Sequence, residues 1–305
     1  MGEGAQDKTA VVSRRVLLGG LMSVVAMRQA NAMLRMQAGD PVESSGGEAV
    51  STKICVRVIA RDGKFLGDDV GGASITIRDA HTKELLALGR TSGGSGLNGP
   101  GGVMCARLRR GEPLPTTAAS SYTADLKLDR PRRIEVIAHG PLGVPESANT
   151  VSATQWVYPG KDIVEGDGFL LELPGLIVQI VSPAASADMR AANFPAELPI
   201  QAHVAMMCGC PIDYKSDPTH AICPELPPDD QPWLPNEFEV AAVISVQGGE
   251  PVTIPMQFVG AAGTPGQFAG TWKQPQRGTH KLAVYAYQKA TGNTGVDVAR
   301  IHIAD

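Results

Sequence analysis

Aromatic residues are scarce: Phe, Tyr and Trp together make up 5% of the 305 residues. Sustained helical periodicity is missing too, so a helical bundle is not expected. No apolar run approaches the roughly 18 residues of a membrane-spanning helix, which argues against stable membrane insertion. There is no basic tract to grip a phosphate backbone, and 27 Lys and Arg against 31 Asp and Glu leave a net charge of −4, so nucleic acid is not an expected partner. The chain contains no G-x-S-x-G elbow and no H-E-x-x-H, so neither serine-hydrolase nor zincin chemistry is indicated. Cysteine is sparse and odd in number, at five. At least one thiol is therefore free, metal-bound or intermolecular.

Glycine (35) and proline (23) are abundant, and 43% of the residues are apolar, enough for a sizeable core. That mixture suits many short strands joined by tight turns. Residues 1–32 hold a basic pair, Arg14-Arg15, a modest apolar stretch and Ala30-Asn31-Ala32, the three parts of a cleavable signal helix. The paired arginines resemble the twin-arginine export signal, which implies a periplasmic protein exported already folded. This leader carries a net +2, leaving about −6 on the remainder. Residues 33–50 read as a flexible mature N-terminus.

From Lys53 the sequence alternates, with Ile54, Val56, Val58 and Ala60 on one face and Arg57 and Arg61 on the other. Further strands are expected at 73–79, 84–90, 103–108, 121–128 and 133–138, and runs such as SATQWVY, FLLELPG and LIVQIVS either complete this unit or bridge to the next. The stretch VRVIARDGKFLGDDVGGASITIRDAHTKELLALGRTSGGSG resembles a transthyretin-like or carboxypeptidase-regulatory-like β-sandwich, which implies a module that displays or spaces something else. A boundary is placed near Pro174-Gly175, giving domains over 51–174 and 175–305.

In the second domain seven strands are expected, at 176–181, 199–207, 237–246, 251–259, 267–273, 280–288 and 296–303, the number in an immunoglobulin-type sandwich. The segment from Gly278 to Asn293 resembles the last hairpin of bacterial Ig-like and fibronectin-type domains, with His280 in place of the usual tyrosine and Lys289 near the acidic position. The fold class is thus all-β, two β-sandwich domains after the signal helix. Alternation puts Leu282, Val284 and Ala286 in the core and Ala283, Tyr285 and Tyr287 outside, joined on the outer face by Ala241, Val243 and Val298. So apolar a face should be covered, by the first domain or by a periplasmic partner protein. Trp233, within QPWLPNEF, and Trp156 read as loop plugs or partner anchors.

Gly94-Ser95-Gly96-Leu97-Asn98-Gly99 matches G-x-G-x-x-G, but Pro100-Gly101-Gly102 follows where a nucleotide site needs a helix, so it reads as a flexible loop. Asp68-Asp69 and Asp229-Asp230 read as solvated turns. The densest chemistry is Met206-Met207-Cys208-Gly209-Cys210-Pro211. Residues two apart in an extended strand have Cα atoms roughly 6.5 Å apart, near the upper limit for a disulfide, so a Cys208–Cys210 bond needs a bend at Gly209.

Three readings stay open. One is a disulfide from Cys208 or Cys210 to Cys223, with Cys55 and Cys105 free to pair with each other. The second is a soft-metal site, with copper(I) the best-suited ion, built from Cys208 and Cys210 and completed by Cys223, Met207, His203 or His220. The third is redox or nucleophilic thiol chemistry, for which no neighbouring cation in the sequence lowers a thiol pKa. The functional expectation is an accessory or binding module without catalytic activity of its own, docking on a partner through Tyr285, Tyr287, Val243, Val298 or Trp233. The alternatives are a copper-handling protein and an enzyme, or a small enzyme subunit, with a site between the domains.

Overall fold

The computed structural model describes residues 48–99, 101–106, 108–184, 187–189, 197–212, 223, 225–227, 230–245, 249–261 and 264–303. The expected leader, nearly all of the 33–50 segment and His220 lie outside them. Among the described residues every regular element is a strand, apart from short 3₁₀ turns at Asp68–Val70, Pro145–Ser147 and Pro235–Glu237. None of their helices is long and apolar enough to cross a membrane.

The alternating segment after Lys53 is strand β1 (Val50–Ala60), followed by β2 (Ser74–Asp79), β3 (Leu85–Arg90), β4 (Ser92–Ser95), β5 (Ala119–Leu128), β6 (Arg132–Gly140), β7 (Asn149–Val157) and β8 (Phe169–Leu173). They form two four-stranded sheets, ordered β4-β5-β1-β8 and β3-β2-β6-β7. Period-2 alternation aims Ile54, Val56, Val58 and Ala60 inward, where they share a core with Ile75 and Ile77 and with Ile134, Val136 and Ala138. The expected strand at 103–108 does not form. Residues 101–105 turn instead, through backbone bonds such as Cys105 N to Gly102 O (3.1 Å). Gly94 and Ser95, the start of the Gly94–Gly99 run expected to be a flexible loop, belong instead to the edge strand β4 on β5.

The remaining strands are β9 (Leu176–Ser182), β10 (Ala187–Met189), β11 (Glu197–Met206), β12 (Phe238–Ser245), β13 (Val252–Pro255), β14 (Gln257–Phe258), β15 (Gln267–Lys273), β16 (Gly278–Gln288) and β17 (Asn293–Ile303). They build a second pair of sheets, β14-β15-β11-β9 and β10-β17-β16-β12-β13. The run expected as one strand over 251–259 is two, because the chain leaves one sheet and joins the other at buried Met256. Inward residues include Leu198, Ile200, Ala202 and Val204 from one sheet and Leu282, Val284 and Ala286 from the other, as the alternation predicts.

Strand pairing changes partners at Pro174-Gly175, but burial does not stop there. Glu48–Asp305 form one compact unit, and the buried apolar residues make one continuous cluster through both sandwiches.

The seam is held by polar side chains in turns. Asn293, just after the β16–β17 turn, donates to Arg61 O (3.0 Å) and accepts from Gly175 N (3.0 Å). Gln288 donates to Asp62 Oδ2 (2.6 Å), and the indole N–H of Trp233 donates to Asp62 O (2.7 Å). Asn293 and Gln288 are each 1% exposed, so their polar atoms must be met by partners, and these are the partners they meet.

Candidate functional site

Strand β11 ends at Met206 and the chain doubles back at once. Gly209 N donates to Met206 O (2.8 Å), Met206 N to Cys210 O (2.9 Å), and Ala205 bridges Pro211. Gly209 makes the reversal possible at φ +80°, a left-handed conformation that a side chain resists. A Cβ there would also stand 2.3 Å from Val70 Cγ1. The turn brings Cys208 and Cys210 side by side, so that their thiols hydrogen-bond; both are buried and neither is in a disulfide. The bend at Gly209 that a Cys208–Cys210 approach requires is therefore present.

The other wall of this site comes from the first sandwich, about 145 residues away in sequence. The turn after β1 lays Gly63 against Cys208, where a Cβ on Gly63 would stand 3.5 Å from Cys208 Sγ. The backbone N–H of Lys64 donates to that sulfur. Lys64 as a residue is 5% exposed, and its side chain donates from Nζ to Asn98 Oδ1 (2.6 Å), in the Gly94–Gly99 loop. Asp69 approaches from the 3₁₀ turn on the Cys210 side.

Burial opposes a charge on Cys208. Hydrogen bonds from the Cys210 thiol and from the N–H groups of Lys64 and Cys210, with the Lys64 ammonium, nevertheless bring its pKa below the ordinary thiol value. The bond Cys210 donates to Cys208, its burial and the neighbouring thiolate push Cys210 strongly upward. The two thiols therefore titrate together and not independently. The activating cation missing from the local sequence is supplied by the fold, as Lys64.

The remaining sequence candidates are placed elsewhere. Cys223 is bonded to Cys105, with a Cα–Cα distance of 5.5 Å, so neither a Cys55–Cys105 pairing nor a bond from Cys208 or Cys210 to Cys223 forms. The signal was weak because connectivity cannot be deduced from spacing. Glu225 lies within 4.8 Å of both disulfide sulfurs, but bonded sulfurs offer no thiolate to a metal. Cys55 is buried and free. The Met207 thioether packs toward Gly175, whose Cβ position is 3.4 Å from Met207 Sδ. His203 lies five residues before Cys208 on the outward side of β11, against Gly266, and its burial lowers its pKa. Neither is brought to the thiol pair. Trp233 is fully buried, which corrects its reading as a partner anchor: it plugs the seam.

The outer face of the second sandwich carries the other candidates. Pro255, Ala241, Tyr285 and Val296 lie side by side across β13, β12, β16 and β17, and Thr253, Val243, Ala283 and Val298 make the next row. Val296 is 51% and Val298 49% exposed, so the β17 side of this face is open, whereas Ala241, which alternation also puts outside, is buried. The Tyr285 hydroxyl donates to Glu239 Oε1 (2.9 Å), and Tyr287 stands in the following row.

No family model matches the chain, and no curated protein does. Among solved structures it is similar to the fibronectin(III)-like modules of CbhA from Clostridium thermocellum, at 10% identity and a TM-score of 0.24, covering 87% of this chain and 92% of that one. Domains 4 and 5 of the S-layer protein SbsC align at 7% identity and a TM-score of 0.24, over 57% of this chain and 65% of that chain. An engineered protein aligns at 16% identity and a TM-score of 0.27 over 49% of this chain, which spans only 24% of the engineered protein's length. The sandwich architecture rests on the strand pairing itself.

Proposed function

We propose that this chain is an exported, non-catalytic docking module of the periplasm. In this reading two rigidly joined sandwiches, transthyretin-like and Ig-like, present the outer face of β12, β16 and β17 to a protein partner. The carrying observation is that face: two adjoining cross-strand rows in which Val296 and Val298 stand about half exposed, with Tyr285 beside Val296 and Tyr287 in the row beyond. Apolar rows with tyrosines at their margin suit the core of a protein interface, where aromatic residues are enriched. The disulfide between Cys105 and Cys223 supports export, since such bonds persist in oxidising compartments. The Arg14-Arg15 leader supports the twin-arginine route in particular.

The test places a photo-crosslinking residue at Val298, with Leu88 of β3 as an exposed control on the other sandwich, in cells exporting the full chain. A discrete adduct from position 298 that is absent from position 88, and that disappears in Val296→Glu, is the expected result. Equal crosslinking from both positions, or substrate turnover by the isolated chain, overturns the reading.

A further inference from the structure

We propose that Cys208 and Cys210 form a two-coordinate binding site for a soft monovalent cation, copper(I), with the buried ammonium of Lys64 as its counter-charge. The inference does not depend on the docking face.

Two sulfurs meet at one turn, and the other soft or nitrogen donors singled out in the described part of the chain are held elsewhere. Cys223 is consumed by Cys105, Met207 faces Gly175, and His203 faces Gly266. Zinc asks for four ligands in a structural site, and here Asp69 is the remaining anionic donor beside Cys210. Thiolate pairs instead suit copper(I), which is soft and prefers sulfur.

Binding replaces the thiol protons, which leave to water, and each sulfur bonds the metal as a thiolate. Two thiolates and one copper(I) sum to a single negative charge, and one buried cation, Lys64, stands beside them. The rest of the shell fits an anionic cluster: the Lys64 and Cys210 backbone N–H groups already donate to the Cys208 sulfur. Cys208 is fully buried and Cys210 is 9% exposed, so Cys210 is the sulfur through which a ligand exchanges.

The experiment titrates full-length exported protein, its Cys105–Cys223 bond intact, anaerobically with copper(I) against a chromophoric copper(I) chelator. One equivalent held against the chelator is expected, with an X-ray absorption signature of two sulfur scatterers. Cys208→Ser and Cys210→Ser each lose that equivalent, and Cys55→Ser, which removes the other buried free thiol, retains it. Lys64→Met weakens binding at least tenfold, while Lys64→Arg, which keeps the charge, restores most of it. Failure of the wild-type chain to hold one equivalent overturns the proposal without reference to any variant. So does recovery of Cys208 and Cys210 as a disulfide in protein alkylated without reduction, or a preference for zinc with oxygen scatterers.

Discussion

Removing the Cys105–Cys223 bond is the sharpest test of whether the two sandwiches unfold as one. The bond spans 118 residues, and the loop it closes runs through β5 to β11, taking in strands of both sandwiches. In the chain-entropy account a loop of that length restricts the unfolded chain by about 5 kcal/mol at 25 °C. That figure applies in full only where the stapled ends separate in the same transition that melts the sheets, as the continuous core implies. The paired variant Cys105→Ala/Cys223→Ala avoids stranding one thiol. For a unit of this size about 5 kcal/mol corresponds to a drop in thermal midpoint of roughly 10–20 °C. Scanning calorimetry of the variant, beside wild-type protein with this bond reduced, measures it. A shift of only a few degrees, or a split into two transitions, refutes the inference that the seam makes the sandwiches cooperative.

Three further changes probe the seam and the thiol turn. Trp233→Phe keeps most of the buried ring and loses the indole N–H bond to Asp62 O, leaving that carbonyl short of a donor, so a loss of about 1–2 kcal/mol is expected in urea titration. Gly209→Ala meets both a left-handed φ of +80° and a Cβ 2.3 Å from Val70 Cγ1; a destabilisation of about 2–4 kcal/mol is expected, together with loss of the copper(I) equivalent. The third change concerns pH. Burial raises the pKa of Asp62, partly offset by the Gln288 bond, and burial followed by the Asp62 charge raises that of Glu237. A carboxyl whose folded pKa lies above its unfolded value contributes stability that is full below the ordinary carboxylate range and is lost as pH rises through the folded value. Glu237→Gln should therefore melt above wild type at about pH 7, by a degree or two, and the difference should vanish below about pH 4. A difference that grows toward acid would reverse the assigned sign.

Alternation was the readable part of this chain. Period 2 in β1, β12 and β16 needs only local sequence, and it places both core and outer face because a strand has two sides. Two local failures have local causes. VMCARL carries a strand's composition, but Gly102 accepts from Cys105 and Ala106 and bends the segment into turns, and a disulfide then fixes it. Ser92–Ser95 has no apolar pattern at all; its ladder comes from backbone groups meeting β5, which composition does not announce.

The seam and the thiol site were hidden for a different reason. Lys64, Gln288 and Asn293 all sit in or beside turns, where polar residues ordinarily face water, yet in the folded chain they are buried, the last two bonding to the turn that holds Asp62. Lys64 shows the consequence for chemistry. Read along the chain, Cys208 and Cys210 have no cation beside them and look like a strand end or half a disulfide. Folded, the same pair has the N–H and the buried ammonium of one residue from another sheet system, and Asn98 of a glycine-rich loop holds that ammonium in place. The sulfur pair is local to three residues, but what makes it a site is not, so the site exists only when both sandwiches are folded and docked.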